Sequence, residues 1–80
     1  MIENLEKICI AFYQRNNGPA YQAFQSILPH ILNQLEMKHQ SNGVSILHRI
    51  LDEVEKGDFV MVADIINFEL IPLLQQEVSQ

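Results

Sequence analysis

One run of eighteen residues, Gly57 to Leu74, constrains this chain more than any other. Gly57 is suited to end one helix, and the Asp58 side chain can accept from the free N–H groups that open the next. Set out at about 100° per residue, the apolar side chains of the run divide into two stripes. Phe59, Val62, Ala63, Ile66, Leu70, Leu73 and Leu74 form one stripe, and Met61, Ile65, Phe68 and Pro72 form a second on roughly the opposite side. Asp64 and Asn67 lie in one gap between the stripes and Glu69 in the other. A helix apolar on two sides is buried on two sides. In so small a protein this predicts a central place in a helical bundle, a contact with another molecule, or both.

The rest of the chain reads as helices that would surround this one. Ile2, Leu5, Ile8, Cys9 and Phe12 recur at helical spacing and predict a first helix over residues 2 to 16. Glu3 and Glu6 stand near its N-terminus and Arg15 near its C-terminus, as the helix dipole favours. Asn16-Asn17-Gly18 ends it, and Pro19 suits the first turn of the next helix. Tyr21, Phe24, Ile27, Leu28, Ile31, Leu32 and Leu35 carry a second helix from Pro19 to His39. Pro29 interrupts that helix and predicts either a kink near Gln25 or Ser26 or a split. The kink is preferred because the apolar face continues across it.

Gln40-Ser41-Asn42-Gly43 reads as a turn, with Ser41 or Asn42 as cap. A third helix follows over residues 44 to 56, burying Val44, Leu47, Leu51 and Val54 with Ile46 and Ile50 alongside. The fourth runs to about Glu77, bent by Pro72. No strand alternation competes with these patterns, and the short loops favour antiparallel neighbours. The expected fold is all-α: one domain, residues 1–80, forming a small antiparallel bundle of four helices.

Charge and cysteine content narrow the function classes. The net charge is −5, and the five basic residues are scattered, which argues against nucleic acid as a partner. There is no basic amphipathic helix for a membrane surface and no stretch of transmembrane length. A signal peptide would want positive charge where Glu3 and Glu6 stand. A single cysteine excludes an internal disulfide, so a cytoplasmic location is expected.

Motifs for chemistry are sparse. Glu36-x-x-His39 has the spacing of a di-iron half-site, but such sites need two copies and two further glutamates. His48 and Asp52 are spaced for an i,i+4 pair, and the three histidines match no zinc pattern. Cys9, on an apolar helix face, reads as a small hydrophobe. With no phosphate loop or nucleophile elbow, neither catalysis nor a cofactor is expected.

What remains is contact. The second stripe of the fourth helix is more apolar surface than so small a bundle covers, and such patches tend to bind. Met61, Asp64, Ile65, Phe68 and Glu69 are the candidate partner-binding residues, with Phe68 as anchor and the polar residues setting register. Asp64, Asn67 and Glu69 also suit the exposed edges of a buried helix, and Tyr13 and Tyr21 fit either the surface or a core rim. The favoured expectation is a small interaction or accessory module that self-associates through this helix. The alternative is a monomeric bundle holding a small ligand or metal, with Glu36 and His39 as first candidates.

The run from Gly57 to Leu74 also follows a D-h-h-x-x-A-D-h-h-x-[YF]-E-h-x-P-x-h pattern, where h is apolar. Asp58, Ala63, Asp64, Phe68, Glu69, Leu70 and Pro72 carry the match. It resembles a segment of small helical proteins of Gram-positive bacteria and of helical tails of motility-associated proteins there. Asn67 departs from the glutamate more usual at its position. The resemblance covers under a quarter of the chain and brings no chemistry; it implies a bacterial, cytosolic accessory role.

Overall fold

A computed structural model describes residues 1–76, so the expected helix end at Glu77 lies outside the described residues. Four helices form the fold, and no strand occurs among the described residues. They are α1 (Ile2–Tyr13), α2 (Asn17–Met37), α3 (Asn42–Lys56) and a fourth rod. The rod comprises α4 (Phe59–Ile65), a π-helical turn (Ile66–Leu70) and α5 (Ile71–Gln75), with right-handed helical backbone at each junction.

The first three helices end in the same way. The chain enters the left-handed region at Arg15 (φ 64°), His39 (φ 54°) and Gly57 (φ 75°). At each end the next N–H reaches back five residues: Asn16 to the Ala11 carbonyl, Gln40 to Leu35 and Asp58 to Glu53. This pairing satisfies carbonyls that a helix end would otherwise leave free. The fourth helix opens with Asp58, whose carboxylate accepts from the Met61 N–H at 3.2 Å, as the sequence pattern predicts. α1 stops at Tyr13, earlier than expected, and α2 runs unbroken through Pro29. Asn42 and Gly43, expected in the turn, belong to α3, and Ser41 is its N-cap without a side-chain hydrogen bond.

The helix at the centre is the fourth. Its π-turn precedes Pro72, whose ring would crowd the Phe68 carbonyl in a regular α-helix. Instead the Ile71 N–H donates to Ile66 O, five residues back. The extra residue per turn sets the remainder of the helix back by about 100°. That rotation brings Ile71, which belongs to neither stripe of a regular helix, into the core beside Leu70 and Leu74. Leu73, which regular spacing puts in the main stripe, moves to the core's edge.

Around this helix the core gathers Leu5, Ile8 and Phe12 of α1, Phe24, Ile31 and Leu35 of α2, and Leu47 and Ile50 of α3. Phe12 stacks on Phe59 with ring centroids 5.9 Å apart. The rod's C-terminal end is tied to the α2–α3 turn. Lys38 Nζ donates to Leu74 O at 2.6 Å and Gln40 Nε2 to Leu73 O at 2.8 Å. A lysine ammonium at a helix C-terminus also meets the negative end of the dipole.

The helices are not equally joined. α1 packs closely on α2 and α4, and α3 on α4, but α2 and α3 touch each other sparsely. They come close at Gly43, where an added Cβ would overlap the Leu35 methyl groups. This corrects the expected face of α3. Ile50 is fully buried, while Val44 and Leu51, expected in the core, are 43% and 37% exposed. α3 turns its Ile46–Ile50–Val54 side to the core because α4, rather than α2, is its main neighbour.

Candidate interaction surfaces

The structure separates the five residues expected to bind a partner. Phe68 is 69% exposed and Met61 41% exposed. Ile65, expected beside them, is only 2% exposed and belongs to the core. At about 100° per residue it lies at the rim of the buried arc formed by Leu70, Val62 and Ile66 once the π-turn is counted. It cannot present its side chain to a partner.

The two carboxylates have partners within the chain. Tyr13 Oη donates to Asp64 Oδ1 at 2.5 Å, linking α1 to α4. This hydrogen bond, with burial and the Asp64 charge adding to it, pushes the Tyr13 phenol up to about 12. Arg49 of α3 donates to both oxygens of Glu69, at 2.5 and 2.9 Å. The paired carboxylate holds the Arg49 pKa above its ordinary value. A two-pronged guanidinium–carboxylate contact fixes orientation as well as distance. Asp64 and Glu69 therefore join the central helix to the helices on either side of it.

A second surface was not singled out by sequence reasoning. Where α2 and α3 diverge, an apolar groove opens in two connected hollows that share Leu32 and Val44. The narrower, of about 170 Å³, is bounded by Phe24, Leu28, Leu47, His48 and Leu51. The wider, of about 550 Å³, lies toward the turn and is bounded by Leu35, Glu36, His39, Gln40 and Ser41. Leu32 is 45% exposed at the junction. The signal was present in the sequence: Leu28, Leu32, Val44 and Leu51 continue helical stripes that look like core. Nothing local shows that the two stripes stand too far apart to cover each other.

Glu36 and His39 both border the wider hollow. No group of three or more histidine, cysteine, aspartate or glutamate side chains among the described residues is arranged to hold a metal ion. His48 borders the narrower hollow and Asp52 a separate depression with Arg49, Glu53 and Lys56; no ion pair joins His48 to Asp52 among the described residues. Cys9 is buried, with Sγ 3.6 Å from the Ala63 carbonyl. Burial, reinforced by the Glu6 and Asp64 charges, pushes its thiol up to about 11. The thiolate that nucleophilic chemistry needs is thereby suppressed.

No helix among the described residues is long and apolar enough to cross a membrane. No family model matches the chain, and no curated protein or solved structure matches it either.

Proposed function

We propose that this protein is a cytoplasmic interaction module whose α2–α3 groove receives an apolar segment of another molecule. The observation that carries the reading is the open seam itself. Leu32, Val44 and Leu51 are half-exposed and line one hollow between two long helices. Contiguous apolar surface of this kind, rimmed by polar groups, is characteristic of binding sites, and a groove between helices is a common seat for an amphipathic helix. The single, buried cysteine supports a reducing compartment.

An environment-sensitive apolar dye tests the groove directly. The folded wild-type chain should enhance its fluorescence, and Leu32→Asp with Val44→Asp should remove the enhancement while leaving the helical circular dichroism unchanged. Enhancement retained in the double variant would rule out the groove as the apolar binding surface.

A second reading, self-association through the fourth helix, is favoured by the exposure of Phe68 and Met61 on one face of that helix. Light scattering over a wide concentration range should then show a mass above that of the monomer, reduced by Phe68→Glu. A wild-type monomer at every concentration would dispose of it.

A further inference from the structure

We infer that the occupant of the α2–α3 groove is a basic amphipathic helix of another protein, rather than a second copy of this chain. This rests on the groove being a docking site, as proposed above, and adds the chemistry of what docks there.

Charge distinguishes the occupant first. Glu36 borders the groove at the turn end. Glu55 follows Leu51 by four residues on the same face of α3, toward the other end, and is exposed. None of the five basic residues borders either hollow. Three of them are engaged elsewhere: Lys38 with the Leu74 carbonyl, Arg49 with Glu69, and Lys56 with Glu53. The groove is thus an apolar floor with the Glu36 carboxylate on its border at the turn end, and with Glu55 one helical turn past Leu51, beyond its other end. From Val44 to Leu51 the α3 wall is about 10 Å long, room for about two turns of a docked helix. The complementary ligand carries a leucine-like stripe at i, i+3, i+4 and i+7, with lysine or arginine beside it at both ends.

Shape disfavours a second copy. A groove is filled by a ridge, and two copies facing each other groove to groove would enclose a void. They would also bring Glu36 and Glu55 of one copy against the same residues of the other, in chains that each carry a net charge of −5. Like charges across an interface disfavour the pairing.

The probes are two labelled synthetic helices with one leucine stripe, flanked by lysines in one and glutamates in the other. A third peptide has the lysines and a scrambled stripe. Fluorescence anisotropy against the full chain should show the lysine-flanked helix binding at least about tenfold more tightly than the other two. The preference over the glutamate-flanked helix should collapse in a Glu36→Gln, Glu55→Gln variant. Binding should be lost in Leu32→Asp, its fold checked by circular dichroism.

Equal binding of the lysine- and glutamate-flanked helices, lost in Leu32→Asp, would overturn the basic partner and leave the groove reading standing. So would self-association of the chain that Leu32→Asp abolishes, since the occupant would then be a second copy. A charge preference that survives the double glutamine variant, or equal binding of the scrambled peptide, would overturn the proposal by placing recognition elsewhere. Binding of the intact stripe that is unaffected by Leu32→Asp would overturn the groove reading itself.

Discussion

Ile31 and Leu32 are neighbours on one helix and nearly equal in size, yet the open groove predicts very different costs for truncating them. Ile31 is fully buried, so Ile31→Ala loses the transfer energy of the removed carbons and leaves a closed cavity, about 3–4 kcal/mol in all. Leu32 is 45% exposed, and the space left by its truncation opens to water. Burying a whole leucine side chain stabilises by about 1.5–3 kcal/mol, so removing most of one that is little more than half buried costs about 1 kcal/mol. A chain of 80 residues has about 4–12 kcal/mol of stability in total. The first substitution therefore threatens the fold and the second does not. Urea denaturation followed by circular dichroism measures both, with the slope m checked for constancy. Costs agreeing within about 0.5 kcal/mol would mean that α2 and α3 close over Leu32 in solution and that no open groove exists there.

The other consequences concern titration and backbone strain. The Tyr13 phenol, raised above its ordinary value of 10 by the bond to Asp64, contributes stability that is complete below pH 10 and lost as pH rises through about 12. Ultraviolet phenolate titration of a Tyr21→Phe chain should show the raised midpoint, and Asp64→Asn should lower it; an unchanged midpoint refutes the linkage. Cys9 should resist a thiol reagent at mildly alkaline pH until denaturant is added, and rapid reaction of the native protein would contradict its burial. Arg15→Gly relieves a left-handed non-glycine residue and should stabilise by about 1 kcal/mol, with a melting temperature about 4–8 °C higher. A lower melting temperature would show that the Arg15 side chain matters more than its backbone. Gly43→Ala forces Leu35 from its place and should cost about 1–3 kcal/mol despite the better helix former; a gain in stability would mean that Leu35 moves freely.

Much of this fold is legible in the residues themselves, because helix formation and termination are local. The stripes of Leu5, Ile8, Cys9 and Phe12 on α1, and of Phe24, Ile31 and Leu35 on α2, are core as their spacing predicts. Gly57 and Asp58 stop one helix and start the next through their own backbone and side-chain chemistry. The left-handed turns at Arg15 and His39 are harder to see, since neither residue advertises that conformation.

Phase and coverage belong to the tertiary structure. Pro72 marks a disturbance in the last helix, but the π-turn ahead of it, which brings Ile71 into the core, forms where α1 and α3 hold the rod from both sides. Asp64 and Glu69 are visible as polar breaks in an apolar run, while their partners Tyr13 and Arg49 are brought to them only by packing. The groove follows the same rule. Periodicity marks Leu32, Val44 and Leu51 as one side of a helix, a property of each helix alone. Whether another helix covers that side depends on where its neighbours sit, and here α3 packs on α4 and leaves its seam with α2 open.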